Sequence, residues 1–306
     1  MILTRLLYIA SDVKYNITYC ILHQHKDELE YWLAEYFMSG FCNETLQLLI
    51  KIYYTYYAAK YPSLEKYIID KAQQQQSTLK YNSLSTIAHT LRTKTPSYIL
   101  EDNSITRMRG RKPYIKTLLQ KKKWKHIIRF MFSIPDEELI QYYISICLYY
   151  DKSVDINGIL EYYHTIVPYL SLENQRWMII ALTYHLSLQD DDIHRTHSIT
   201  LLQKKFQDKY VTLNKDIPRK ILVNHIKYAS RKVISKDIHH KILEQWVNYL
   251  YSCPLWQHRI HSHNGKMVKD KLTFNNDDHL ENFYDNYGYE VDEQGLTIQQ
   301  MIYPYV

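Results

Sequence analysis

Between Ser104 and Pro135 the sequence carries Arg107, Arg109, Arg111, Lys112, Lys116, Lys121, Lys122, Lys123, Lys125 and Arg129, and no Asp or Glu. Cations at this density suit a phosphate backbone, because each one releases a condensed counterion on contact. Tyr114 and Trp124 stand among them, and an aromatic ring in a basic groove is a stacking platform for an unpaired base. The same stretch is equally a solvated charged face, or a nuclear-localisation-like tract that binds nothing in the folded chain.

The C-terminal end has the opposite sign. After Lys271 there is no Lys or Arg, while Asp277, Asp278, Glu281, Asp285, Glu290, Asp292 and Glu293 all occur. Such a tail can fold back on the basic stretch, pair head to tail with another copy, or stay a solvated end. Tyr284, Tyr287, Tyr289, Tyr303 and Tyr305 give it rings for docking on a partner protein.

Catalytic and metal chemistry find less footing. Cys253, His258, His261 and His263 lie within a dozen residues, but a structural zinc site takes paired ligands from two knuckles and this segment has neither C-x-x-C nor a second cluster. Imidazoles in a loop are the better reading, and no metal or cofactor is expected. Asp190-Asp191-Asp192 reads as a helix cap. Glu137 and Glu138 open a helix whose dipole favours their charged forms, which weakens a general-acid role. The chain has no Walker sequence, G-x-G-x-x-G, G-x-S-x-G or H-E-x-x-H, so nothing nominates an enzyme.

These residues must be held by helices. With only 6 Gly and 8 Pro in 306 residues, the chain lacks the turn chemistry of sandwiches, barrels and doubly wound sheets. Leu29, Trp32, Leu33 and Tyr36 recur at helical spacing, as do Leu46, Leu49, Ile50, Tyr53 and Tyr57, each forming one apolar stripe. Gly40 suits the left-handed end of the first helix and Asn43 the cap of the second. Residues 12–75 thus read as four helices in two hairpins. Further stripes are Leu139, Tyr143, Ile146 and Tyr150; Trp177, Ile180, Ala181, Tyr184 and Leu188; Ile199, Leu202 and Phe206; and Ile242, Leu243, Trp246, Val247 and Leu250. The expected fold is all-α, with antiparallel hairpins in a solenoid-like repeat or a multi-helix bundle. Composition divides it into helical hairpins over 1–76, an irregular basic connection over 77–112, a helical region over 113–271 and the acidic tail over 272–306.

Tyrosine is abundant, at 31 residues against 7 Phe and 5 Trp. The AT-rich codons of Tyr, Ile, Lys and Asn account for this abundance, and every phenol that is buried still needs a hydrogen-bond partner. Cys20, Cys42, Cys147 and Cys253 are widely spaced and read as reduced core thiols of an intracellular protein. No run approaches the ~18 apolar residues of a membrane span, and none is a credible signal peptide.

Tyr31-Trp32-Leu33-Ala34-Glu35-Tyr36, Ser39-Gly40-Phe41, Leu49-Ile50-Lys51-Ile52-Tyr53-Tyr54 and Tyr61-Pro62-Ser63-Leu64-Glu65-Lys66-Tyr67-Ile68 together resemble a helical family common in large nucleocytoplasmic DNA viruses. The likeness covers about the first quarter of the chain. It implies a giant-virus origin, a helical fold and a setting in host cytoplasm, nucleus or virion, and it transfers no catalytic residue. From the succession of hairpins, the abundance of aromatic residues and the missing catalytic motifs, the function expected is a non-enzymatic helical scaffold that binds another protein, such as a viral structural or assembly factor. The alternative is a protein associated with nucleic acid, or another polyanion, through residues 107–129.

Overall fold

A computed structural model describes residues 2–5, 8–73, 81–97, 115–188, 249, 251–269 and 271–287. The described chain is predominantly helical: α1 (Ala10–Leu22), α2 (Lys26–Met38), α3 (Cys42–Tyr56), α4 (Leu64–Ala72), α5 (Tyr81–Arg92), α6 (Ile115–Gln120), α7 (Trp124–Met131), α8 (Asp136–Tyr150), α9 (Ile156–Ile166) and α10 (Leu172–Ser187). A short 3₁₀ turn, Val167–Tyr169, separates the last two. Near the C-terminus come α11 (Pro254–Ser262), the strands β1 (Lys266–Val268) and β2 (Lys271–Thr273), and α12 (Asp277–Tyr287). Among the described residues the sheet is this one antiparallel pair, in register Met267 opposite Leu272. The expected all-α class stands, whereas a repeating or solenoid arrangement is not established by it.

The helix boundaries follow local chemistry. Gly40 ends the α2 segment with φ +92, as the left-handed position requires. It is also a point of close approach, since a Cβ there would stand 2.8 Å from Cβ of Pro254. α3 starts at Cys42, one residue before the expected cap Asn43. Pro135 stands at the cap of α8 with Asp136, Glu137 and Glu138 in its first turn, where the helix dipole favours their charge. Ser171 and Asp155 cap α10 and α9 by accepting from the backbone N–H groups of Asn174 and Gly158.

Two elements depart from expectation. Residues 81–92, inside the segment expected to be irregular, form α5. Its buried Leu84, Ile87, Ala88 and Leu91 are spaced i, i+3, i+4, i+7, but Ser85, Thr86, His89 and Thr90 between them dilute the pattern. On α10 the buried apolar residues are Met178, Ile179, Ile180, Ala181, Leu182 and Leu186, and Leu188 is 46% exposed at the C-cap. That helix is covered on more than one side, so a single stripe does not describe it. The stripes at Ile199–Phe206 and Ile242–Leu250 lie outside the described residues.

The chain divides into two compact units, residues 1–45 with 216–306, and residues 46–215. In the first, α1 packs on α2 around Val13, Ile17, Leu29, Trp32 and Leu33, all buried. Tyr8 meets Trp32 edge-on, with ring centroids 4.9 Å apart, and shares a 2.6 Å hydrogen bond with the Tyr31 hydroxyl. Arg5 ties the unit together. Its Nε donates to Oε2 of Glu35 at 2.8 Å, its backbone N–H donates to Oγ of Ser39 at 2.8 Å, and its carbonyl accepts from Nε1 of Trp256 at 3.3 Å. The Ser39 carbonyl in turn accepts from Leu255 N–H at 3.1 Å and from the Cys253 thiol at 3.3 Å. One residue thus joins the N-terminus, the end of α2 and the start of α11.

In the second unit α8 and α7 pack on α10, and α6 on α7. Arg176 of α10 donates to the carbonyls of Met131 and Ile134 at 3.1 and 2.9 Å and pairs with Asp136 at 2.6 Å, closing the α7–α8 turn. Gln47 accepts from Nδ2 of Asn174 at 2.8 Å and donates to the Tyr169 carbonyl at 2.9 Å, fixing α3 against the start of α10.

Glu35 is 1% exposed, and a buried carboxylate stripped of its partner is worth far more in loss than the pair is worth in gain. Arg5→Met is therefore expected to destabilise the protein by about 3–5 kcal/mol in urea denaturation, and Glu35→Gln added to it restores most of the loss.

Candidate functional site

The basic stretch enters the described structure at Ile115. α6 ends in a Schellman turn: Lys123 N–H donates to the Leu118 carbonyl and Lys122 N–H to the Leu119 carbonyl, both at 2.9 Å. Lys122 occupies the left-handed position, with φ +49, where glycine is the usual residue and an L side chain costs about 1–2 kcal/mol. α7 then buries Ile127, Ile128, Phe130 and Met131, and Leu119 buries the end of α6. With the apolar side anchored, Lys121, Lys122 and Lys123 in the turn, Lys116 on α6 and Lys125 on α7 are exposed.

The remaining candidates are placed less openly. Trp124 is half-buried and stacks on Tyr150, with ring centroids 6.0 Å apart and planes at 14°, so one face is occupied from within. Arg129 is half-buried and its Nε is enclosed, which separates it from the exposed lysines. Arg107, Arg109, Arg111, Lys112 and Tyr114 lie outside the described residues. Of the tail tyrosines, Tyr284 is half-buried on α12, Tyr287 ends that helix, and Tyr289, Tyr303 and Tyr305 lie outside the described residues.

The acidic tail begins with the helix α12. Asn276 caps α12 by accepting from His279 N–H at 3.0 Å, and Asp277 and Asp278 occupy its first turn. The ring that seats it is Phe283, 3% exposed, against Phe274 at 5.2 Å and His263 at 5.7 Å.

The histidines after Cys253 do not converge on one point. Cys253 is turned to the Ser39 carbonyl. Nε2 of His261 meets the Tyr251 hydroxyl at 2.9 Å. His263 places Nδ1 3.0 Å from the Arg259 carbonyl and Nε2 3.1 Å from Nδ2 of Asn286, so both ring nitrogens are engaged elsewhere. Asp190–Asp192 lie outside the described residues.

A group that sequence reasoning did not single out stands inside the second unit. Glu65, in the first turn of α4, is 4% exposed. One carboxylate oxygen accepts from Tyr54 at 2.8 Å and the other from Tyr162. Burial pushes the carboxyl up to about 7, against the two phenols, which favour the charged form. Burial and the neighbouring carboxylate drive Tyr54 and Tyr162 well above the ordinary phenol range, so both remain donors. Tyr143 and Cys147 lie in the same interior, and burial raises the thiol to about 12. A carboxyl titrating near 7 has the acidity of a general acid or base. Here both oxygens are committed to joining α3, α4 and α9. The signal was present in the spacing: Glu65, Ile68, Ile69 and Ala72 share one helical face, so an acid sits on the apolar stripe.

No protein family, curated protein or solved structure matches the chain at a significant level. The resemblance of residues 31–68 to a viral helical family gains no support from them.

The raised pKa of Glu65 gives its contribution to stability a sign. The folded state holds the Glu65 proton up to about 7, whereas the unfolded chain releases it near the ordinary 4.5. Stability from this group is therefore full below 4.5, declines as pH rises to about 7 and then levels, by about 3 kcal/mol in all. Glu65→Gln is expected to match wild type in urea melts at pH 4 and to exceed it at pH 8.

Proposed function

We propose that the chain is a non-enzymatic helical binding protein whose working surface is the lysine turn between α6 and α7 and whose partner is a nucleic acid. The observation that supports it is the exposed set Lys116, Lys121, Lys122, Lys123 and Lys125, in a stretch of 32 residues from Ser104 to Pro135 without a carboxylate. Lysine ammonium groups on phosphates position a chain without reading its sequence, and their contribution comes through counterion release.

Stacking contributes through Trp124 on one face at most, since Tyr150 covers the other. The surface is thus suited to backbone binding more than to base recognition. The protein-scaffold reading draws on Tyr15 of α1 and Leu172 of α10, 68% and 71% exposed; single exposed apolar residues are ordinary on a protein surface, so this reading stands second.

Fluorescence anisotropy with a single-stranded oligonucleotide at two salt concentrations tests the proposal. Replacing Lys121, Lys122 and Lys123 together by Gln is expected to weaken binding for every sequence and to lower the salt slope by about 2. Lys122→Gly is expected to weaken binding while raising stability by about 1 kcal/mol. Binding at low salt that is indifferent to both changes, or no binding, rejects the reading.

A further inference from the structure

The turn from α1 to α2 gathers three side chains that the lysine surface does not use. Cys20, in the last turn of α1, is fully buried. His25 caps α2, and Glu28, 4% exposed, lies in the first turn of that helix. Their donor atoms, one sulfur, one nitrogen and one oxygen, all lie within 4.8 Å of one another. The backbone makes this possible: Gln24 takes the left-handed conformation, φ +62, and His25 N–H donates to the Cys20 carbonyl at 2.9 Å.

Capping alone does not account for the arrangement. In a capping box the acid three residues into the helix receives the backbone N–H of the cap residue. Here the His25 N–H is taken by Cys20, and Oε2 of Glu28 faces Nδ1 of the His25 ring at 3.3 Å instead. The other oxygen, Oε1, accepts from Nε1 of Trp32 at 3.2 Å, which sets the plane of the carboxylate as an outer-shell partner does in metal sites.

We propose that Cys20, His25 and Glu28 bind a zinc ion. Zinc takes thiolate, imidazole and carboxylate donors at bonds of about 2.0–2.3 Å, so a tetrahedron has ligand-to-ligand edges of about 3.3–3.6 Å. The His25–Glu28 edge already has this length, and Cys20 Sγ, within 4.8 Å of both other donors, needs to approach by no more than about 1.3 Å to complete the face. Magnesium and calcium are disfavoured by the sulfur and nitrogen donors. Charge also balances: the thiol releases one proton to solvent, and thiolate and carboxylate together neutralise the dication, so the buried site carries no net charge. Nδ1 offers its lone pair once the ring proton resides on Nε2. The fourth position falls to water. A bound ion would clamp α1 to α2 within the first unit.

The test uses the full-length chain, cleared of metal by a chelator and titrated with cobalt(II) and then zinc. One equivalent of cobalt is expected to give a tetrahedral visible spectrum and a thiolate-to-cobalt charge-transfer band, displaced by zinc. The band is expected to vanish in Cys20→Ser. Zinc affinity, read by competition with a chromophoric chelator, is expected to fall at least tenfold in His25→Ala and in Glu28→Gln, and to hold in the His261→Ala/His263→Ala variant. Far-ultraviolet circular dichroism monitors folding of each variant. Should Cys20→Ser unfold, His25→Ala carries the decision, because that ring is half-exposed and its loss opens no core cavity. A wild-type spectrum without the band, or zinc affinity unchanged in Cys20→Ser or His25→Ala, overturns the proposal.

Discussion

A carboxylate withdrawn from water has to be met by donors, and much of this molecule's interior is arranged around that requirement. Glu65 is the clearest case. Two phenols, from α3 and α9, turn inward to one acid on α4, so the positions of three helices are fixed by a geometry that apolar contact alone does not specify. In the other unit Glu35 draws Arg5 onto the end of α2, and Glu28 is held between Trp32 and His25. Glu65 lies on a helix face otherwise filled by Ile68 and Ile69, and Glu28 and Glu35, seven residues apart, share a buried face of α2 with Tyr31 and Trp32. Removing the partner costs more than the pair contributes, because the bare charge stays behind. Tyrosine, abundant in this sequence, is well fitted to such an interior: its ring fills volume and its hydroxyl supplies the donor.

The same logic explains what is left on the surface. α7 is eight residues long and its apolar side is wholly consumed by packing, so Lys121, Lys122, Lys123 and Lys125 have no role in the core. A Schellman turn keeps them on one tight bend. A rigid display of like charges repels itself, and a polyanion relieves that repulsion while releasing counterions. The acidic α12 belongs to the other unit, where Phe283 seats it against Phe274 and His263.

Much of the helical plan was legible in the sequence, and what escaped did so for physical reasons. The break at Gly40 and the carboxylate-rich start of α8 could be read because turn and cap chemistry are local. α5 was missed because polar residues intervene between its four core positions, although the spacing of Leu84, Ile87, Ala88 and Leu91 was intact. Leu188 was placed on a stripe and is exposed, since periodicity does not say where a helix ends. Cys20 reads as an ordinary buried thiol until the left-handed Gln24 brings His25 and Glu28 around it. The partners of Glu65 are likewise beyond any local reading: Tyr162 is 97 positions away. An acid on an apolar stripe announces that a donor must exist but not which one.

The lysine turn as the binding surface is the claim on which the functional account rests, and photochemical crosslinking reads it without relying on a substituted protein. A single strand carrying 5-bromodeoxyuridine is bound at low salt, irradiated, and the adducts are located by mass spectrometry. Adducts concentrated between Lys116 and Arg129, with Trp124 and its neighbours foremost, are the predicted result. Bound strand whose adducts fall only outside that segment, or a strand that does not bind at all, contradicts it.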